Sequence, residues 1–162
     1  MTLQGLDELD RRIIYELQRD ARHVSSRDIA ADVSASPSTV RKRIQRLEDE
    51  GIVRRYGADV DYGRAGYQLF VQIVCTAPIP ERDRLCEEAS GVDGVVGVRE
   101  LATGERNVVV TVVGEDGDDL TRIARELSAL GLTIAEEQLI RNDASLPYAG
   151  FDSPTTPDRV RR

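Results

Sequence analysis

The chain has 162 residues and a net charge of −7, from 22 Lys plus Arg against 29 Asp plus Glu, and Lys42 is its single lysine. Its 40% of hydrophobic residues can bury a core, which excludes wholesale disorder. The longest nearly continuous apolar stretch, residues 108–113, is far shorter than the about 20 residues of a membrane-spanning helix.

Two helices are predicted at the start of the chain. Asp7 is placed to cap the first helix, which carries one apolar stripe. That stripe consists of Leu9, Ile13 and Leu17. Ser25 or Ser26 caps a second, shorter helix. Its inward positions are Ile29, Ala30 and Val33.

A third helix follows a tight connection at residues 34–36. Ser36 is its predicted cap and Pro37 its first residue, where a missing N–H group has no cost. The helix ends at Gly51. Its inward positions are Val40, Ile44 and Leu47. The second and third helices together have the spacing of a helix-turn-helix.

Residues 52–56 are predicted to form a strand, with residues 59–61 as its return. Such a hairpin would be a wing that brings Arg54 or Arg55 to a nucleic-acid backbone. Side chains alternate along a strand, so at most one of the two arginines would make this contact. The alternative is a solvent-facing edge strand with ordinary surface charge.

From Tyr67 onward the apolar period changes from helical to alternating. The predicted elements are a strand from Tyr67 to Thr76, a helix at 81–90, strands at 95–102 and 107–113, a helix capped by Asp118 or Asp119, and a strand at 133–140. This β-α-β-β-α-β order is ferredoxin-like. The nearly all-valine strand is expected to be central in its sheet.

The outward face of the third helix fits the major groove of DNA. Four cations and no anion lie between Pro37 and Leu47. Hydroxyl groups suit phosphates, whereas Lys, Arg and Gln side chains reach base edges. The residues that we expect to contact double-stranded DNA are Ser36, Ser38, Thr39, Arg41, Lys42, Arg43, Gln45, Arg46, Arg54 and Arg55. The alternative is a solvated basic face in a small helical bundle.

The global charge argues against a nucleic-acid partner until the chain is divided. Residues 1–56 hold 11 basic and 10 acidic side chains, a net of +1. Residues 57–162 hold 11 and 19, a net of −8. The N-terminal part is therefore nearly neutral. The dominance of arginine and the acidic C-terminal part suggest adaptation to high salt, and hence a halophilic protein.

No catalytic, metal or cofactor site is predicted. The only histidine, His23, has no nucleophile placed beside it, and Cys75 and Cys86 lie in apolar company as expected of buried thiols. The N-terminus has no basic and apolar secretory pattern. We therefore expect a cytoplasmic protein with no membrane association.

A glycine-containing hairpin at residues 103–107 could present backbone groups to a small zwitterion, or be a plain turn. Together with the helix-turn-helix, it completes a pattern that resembles the Lrp/AsnC, or feast/famine, family of transcriptional regulators. The matching stretches are LDELDRRII at 6–14, SPSTV at 36–40, RLEDEGIV at 46–53, GY at 66–67 and TGERN at 103–107.

The resemblance implies an α+β fold, with an N-terminal winged helix-turn-helix followed by a ferredoxin-like sensing and assembly domain. It implies a homodimer, with an octamer or another ring of dimers as the larger assembly, and a small effector such as an amino acid. The implied effector residues are Gly104, Glu105, Arg106, Asn107 and Glu137. The expected domains are residues 1–61 and 62–142, followed by a mobile tail at 143–162.

Two departures from the family pattern concern the effector. The family usually has an acid where Asn107 stands, and Thr-Glu-Thr where residues 135–137 read Ala-Glu-Glu. A carboxylate in place of a hydroxyl repels an amino-acid carboxylate. The sequence therefore predicts that amino-acid binding is altered, with a different effector such as a cation, or absent.

Two other functional classes share this layout. Siroheme decarboxylases resemble it and are enzymes, but they are expected to carry a His-Asn-Tyr-type stretch where residues 96–99 read Val-Gly-Val-Arg, and this chain has no histidine beyond His23. The other alternative is an interaction module whose helix-turn-helix no longer binds DNA.

Overall fold

The computed structural model describes residues 5–152. The described chain forms two compact units. One unit contains residues 5–58 together with residues 144–152, and the other contains residues 59–143. The predicted domain boundary, after residue 61, lies three residues from the division between these units.

Three helices form the first unit, and their starts follow the predicted caps. They are α1 (Glu8–Asp20), α2 (Ser26–Asp32) and α3 (Pro37–Asp49). Asp7, Ser25 and Ser36 each accept a hydrogen bond from the backbone N–H three residues ahead. The apolar faces meet in a core whose fully buried side chains are Ile13, Ile29, Val40 and Leu47.

The predicted wing strand at 52–56 and its return at 59–61 are not formed. The first strand of the described chain begins only at Leu69. Gly51 has φ +69°, which turns the chain at the end of α3. The backbone N–H groups of Ile52 and Val53 both donate to the carbonyl oxygen of Leu47, at 2.9 and 3.0 Å. The segment therefore caps α3, and Val53 packs on the helical core.

The second unit has the predicted β-α-β-β-α-β order. Its elements are β1 (Leu69–Thr76), α4 (Arg82–Ala89), β2 (Val95–Glu100), β3 (Val108–Gly114), α5 (Gly117–Leu130) and β4 (Thr133–Leu139). The strands form an antiparallel sheet in the order β2-β3-β1-β4, so β3 is central as predicted. The sequence predicted Asp118 or Asp119 as the cap of α5, but the cap is Asp116. Its Oδ1 accepts from the backbone N–H groups of both Asp118 and Asp119.

Both helices of this unit pack on one face of the sheet. The buried cluster joins Ile73 and Val110 of the central strands to Leu85 of α4 and Ile123 and Leu127 of α5. Alternate strand residues point to the other face. That open face carries Phe70, Gln72 and Val74 of β1 and Val109, Thr111 and Val113 of β3.

The segment after residue 143 differs from the predicted mobile tail within its described part. Residues Ala149–Phe151 form a turn of 3₁₀ helix, and Phe151 packs against the core of the first unit. The backbone N–H of Tyr148 donates to Gln18 Oε1 at 3.2 Å, and Arg12 pairs with Asp152. Tail residues 153–162 lie outside the described residues.

Candidate nucleic-acid interface

The N-terminus of α3 is a cluster of exposed hydroxyl groups. Ser36 Oγ accepts from the backbone N–H of Thr39 at 3.1 Å, and it lies 2.8 Å from Ser38 Oγ and 2.9 Å from Thr39 Oγ1. The first turn of α3 contains no acid, whereas α1 and α2 each carry acids there. The partial positive charge of this helix end is therefore not balanced by a carboxylate in its first turn.

One row of side chains runs along the outward face of α3, opposite Val40 and Leu47. Ser38, Lys42 and Gln45 occupy this row and all three are exposed. Gln45 Nε2 donates to Asp49 Oδ1 at 2.9 Å, so the first acid in this row lies at the far end of the helix. Arg41 and Thr39 are exposed beside the row.

Arg43 and Arg46 point toward α1 and form ion pairs there. Arg43 Nη1 lies 2.6 Å from Asp7 Oδ2 and 3.0 Å from Asp10 Oδ1. Arg46 Nη2 lies 2.5 Å from Asp10 Oδ2. Asp10 is only 1% exposed. These two predicted DNA contacts are therefore already occupied by carboxylates of the same chain.

The protonation of this group follows from its contacts. Burial alone would raise the pKa of Asp10, but the interaction with Arg46 and the hydrogen bond from the backbone N–H of Asp7 together outweigh burial, and the pKa lies below its ordinary value. The hydrogen bond to Asp7 raises the pKa of Arg43, and the close contact with Asp10 raises that of Arg46. All three side chains are ionised at neutral pH, and the pairs are ionic.

Arg54 and Arg55 are both exposed on an irregular segment. The alternation of side-chain directions expected for a strand therefore does not apply to these two arginines. Tyr56 holds the end of this segment, because its hydroxyl donates to Glu48 Oε1 at 2.7 Å. Burial, together with this bond to Glu48, raises the pKa of Tyr56 to about 12. The hydroxyl thus stays protonated and keeps both arginines close to the C-terminal end of α3.

Sequence reasoning missed the acidic partners of α3. A signal was available, because Asp10 lies three, four and seven residues before Ile13, Ile14 and Leu17, in the middle of the apolar stripe of α1. A carboxylate at such a position is buried, and a buried carboxylate requires a cation. The identity of that cation depends on how α3 packs on α1, and the apolar pattern of the sequence gives no information about that packing.

The expected effector residues do not converge in the second unit. Asn107 is 5% exposed and both ends of its amide bind Ala77: Oδ1 accepts from the N–H of Ala77, and Nδ2 donates to the carbonyl of Ala77, both at 2.8 Å. Arg106 Nη1 lies 2.7 Å from Glu136 Oε2.

The remaining effector candidates lie in two places. Gly104 has φ +95° at the tip of the hairpin, next to the exposed Glu105. Glu137 lines a separate surface groove of about 670 Å³ beside α5, with Leu120, Ala124 and Ser128. Within one copy of the chain, Glu137 and the hairpin therefore do not share a pocket.

The remaining reactive side chains have structural surroundings. His23 Nδ1 lies 2.8 Å from Asp20 Oδ2 at the exposed end of α1. Burial raises the pKa values of Cys75 and Cys86 to about 11. Residues 5–152 contain no group of three or more His, Cys, Asp or Glu side chains that could hold a metal ion. Over the same range, every helix is too short or too polar to cross a bilayer.

Comparison with known proteins places this geometry in a family. A family model described as winged helix-turn-helix DNA-binding matches residues 6–54. The uncharacterized HTH-type transcriptional regulator PH0140 of Pyrococcus horikoshii is 30% identical over 146 residues, 89% of this chain and 91% of that protein. The HTH-type transcriptional regulator LrpA of the same organism is 31% identical over 120 residues, 73% of this chain and 82% of its own length.

A solved structure shows the same fold. The feast or famine regulatory protein Rv3291c of Mycobacterium tuberculosis, complexed with L-methionine, has a TM-score of 0.73 at 23% identity, covering 86% of this chain and 94% of its own. The order of elements, the helix-turn-helix and the curated relatives agree with each other. The chain belongs to the Lrp/AsnC family and is a DNA-binding transcriptional regulator.

Proposed function

We propose that this regulator recognises its operator with the exposed N-terminal face of α3. The proposal rests on one observation, which is that Ser38, Lys42 and Gln45 form an exposed row with no acid before Asp49. In a helix-turn-helix the second helix enters the major groove with its N-terminal residues toward the bases. The exposed row meets that requirement.

Each group on this face has a matching partner on DNA. The hydroxyls of Ser36, Ser38 and Thr39 and the helix N-terminus suit phosphate oxygens. Lys42 and Gln45 carry the donors that read guanine and adenine edges in the major groove. Arg41, Arg54 and Arg55 are exposed and suit the backbone. Arg43 and Arg46 are left out of the proposed contacts because α1 already holds them.

The test is the affinity for a fragment of the protein's own promoter, measured by fluorescence anisotropy. We expect K42A to weaken binding by about 1–3 kcal/mol, the usual cost of losing one base contact. The matched control is R125A, which removes one exposed cation from α5. Equal affinities of K42A and R125A would contradict the proposed face. Failure of the wild-type protein to bind any promoter fragment would favour an interaction module instead.

We further propose a homodimer that forms through the open face of the sheet. Val74, Val109 and Val113 are apolar on this face and 7–9% exposed, and both helices of the unit lie on the other side. A second copy would cover the apolar side chains and give an isologous interface. We expect T111E, on the same face of the sheet and only half-buried, to shift the mass measured by light scattering to that of a monomer. The control, A129E, adds the same charge on α5, and an equal effect of both variants would refute the assignment.

A dimeric regulator determines the symmetry and the half-site spacing of its operator. Two recognition helices related by a two-fold axis read two halves of a palindromic site, spaced by about one turn of DNA, 34–36 Å, or by multiples of it. Rings of dimers, such as an octamer, would engage several such sites. Footprinting of the wild-type protein measures this spacing. An asymmetric single half-site would contradict a dimeric reader.

The proposal for the effector is that amino-acid binding is altered or absent. Rv3291c is complexed with L-methionine, but in this chain Asn107 is used by Ala77 and Arg106 pairs with Glu136. Glu137 would repel an amino-acid carboxylate, so a cationic effector fits better. A thermal-shift panel of the twenty amino acids tests this proposal. Strong stabilisation by a neutral amino acid would refute it.

The proposed regulator has no enzymatic role and acts in the cytoplasm, where its DNA target lies. The only histidine of the chain, His23, pairs with Asp20 at the exposed end of α1. It is therefore not placed as an acid–base group for a decarboxylase of this layout. Incubation with siroheme under decarboxylase conditions should leave the compound unchanged.

A further inference from the structure

Two carboxylates of α1 hold two arginines of α3, and we call this group of Asp7, Asp10, Arg43 and Arg46 the arginine clamp. Each oxygen of the Asp10 carboxylate has its own arginine, since Oδ1 lies 3.0 Å from Arg43 and Oδ2 lies 2.5 Å from Arg46. Asp7 takes the other contact of Arg43 at 2.6 Å. The clamp therefore ties the recognition helix to α1 at two successive turns.

The clamped arginines remain close to the proposed DNA face. Their side chains are 33% and 25% exposed, whereas that of Asp10 is 1% exposed. Lys42 of the outward row lines the same shallow surface depression as both arginines and both aspartates. A guanidinium released from the clamp would thus remain on the flank of the helix that enters the groove.

A cation on that flank would contact the phosphate backbone of DNA without discriminating between base sequences. Phosphate contacts raise the affinity for every sequence alike, and each contact makes the affinity more sensitive to salt. A carboxylate that holds such a cation removes this contribution. It also fixes the rotation of α3 about its axis, which decides the side chains that face the bases.

We propose that Asp7 and Asp10 are specificity-determining residues, which keep Arg43 and Arg46 off the DNA backbone and leave discrimination to Lys42 and Gln45. The inference rests on the proposed function, in which α3 is the recognition helix. In this arrangement the acids of α1 lower the affinity for non-operator DNA. The ratio of operator to non-operator affinity is the quantity that the clamp controls.

The main test variant is D10N, which removes the negative charge that holds Arg46 and that makes the second contact of Arg43. The amide oxygen of the new side chain can still accept from the N–H of Asp7, so the capping box of α1 is retained. The affinity for non-operator DNA is measured as a function of salt. We expect the slope of log affinity against log salt to steepen by about 0.9, the value for one added phosphate contact. At 50 mM salt this corresponds to a gain on the order of tenfold in non-operator affinity.

The double variant D10N/R46A tests the cause, because removal of the freed guanidinium returns the slope to the wild-type value. The matched charge control is E8Q, which removes one exposed carboxylate from the same turn of α1. We expect its slope to change by much less than that of D10N. If D10N does not fold, as judged by circular dichroism, D7S serves instead, because it retains a capping side chain and removes the shorter contact of Arg43.

The outcomes separate this inference from the proposed function. A steeper slope and a lower operator preference in D10N or D7S, but not in E8Q, support the clamp as a determinant of specificity. A loss of both affinities without a steeper slope means that the clamp is only structural and overturns the inference. If K42A leaves operator binding unchanged, the proposed DNA face itself fails, whatever the slopes of the aspartate variants.

Discussion

The bidentate contact between Asn107 and Ala77 predicts a large effect for the substitution N107D. Both residues are buried, at 5% and 2% exposed, and the two hydrogen bonds are 2.8 Å long. The new carboxylate still accepts from the N–H of Ala77 but cannot donate to its carbonyl oxygen. An acceptor that loses its donor in a buried site costs about 1–3 kcal/mol. A buried negative charge beside a carbonyl adds to this cost.

We therefore expect N107D to lower the free energy of unfolding at pH 7 by about 3 kcal/mol, which lowers the Tm by about 10 °C. The effect depends on pH with a definite sign. Burial and the carbonyl raise the pKa of the new carboxyl in the folded state above its unfolded value of about 3.9. The protonated form can donate to the carbonyl of Ala77. The variant is thus closest to the wild type below pH 4 and loses stability as the pH rises.

The assay is calorimetric unfolding of wild type, N107D and N107A at pH 4 and pH 7. N107A is the control, because it removes both hydrogen bonds without adding an ionisable group. Its deficit relative to wild type should be nearly equal at the two pH values. Equal stability of N107D and wild type at pH 7 would refute the assigned role of Asn107. A deficit of N107D that grows toward acid would refute the pH argument.

Four further effects are expected. S36A removes the cap of α3 and lowers the free energy of unfolding by about 1 kcal/mol, measured by urea denaturation. Cys75 and Cys86 react slowly with a thiol reagent at pH 8, and the rate rises toward pH 11, because their pKa values lie at about 11. F151A weakens the first unit by about 1–2 kcal/mol, since Phe151 is partly buried on its core. Molar NaCl raises the Tm by screening the net −8 of residues 57–162; an unchanged Tm would contradict adaptation to salt.

The elements that depend on local signals were predictable. The caps at Asp7, Ser25 and Ser36 act within three residues, and the stripe of α1 and the valines of β3 repeat with a fixed period. The strand at residues 52–56 and its return at 59–61 were wrongly predicted, because a strand requires a partner. The β-branched residues 52 and 53 instead serve to end α3, through the carbonyl of Leu47.

The side chains of the candidate site were harder to predict, because their partners are distant in sequence. A helical wheel places Arg46 at the edge of the DNA face but does not contain Asp10, 36 residues earlier. Asn107 was interpreted as a hairpin residue because nothing local identifies Ala77, 30 residues before it, as its partner. Phe151 lies in a segment with no periodicity and acts through one contact with the core.

The return of residues 144–152 to the helical unit makes the sheet unit an insertion in the chain of the helical unit. While Phe151 and Tyr148 remain docked, unfolding of residues 59–143 gives a closed loop rather than a free chain. A closed loop has less conformational entropy than a free chain, so the docked contact increases the stability of the sheet unit. The contact is non-covalent, and this increase is therefore limited to the free energy of docking itself. Cleavage after residue 143 would remove that increase without altering the sheet.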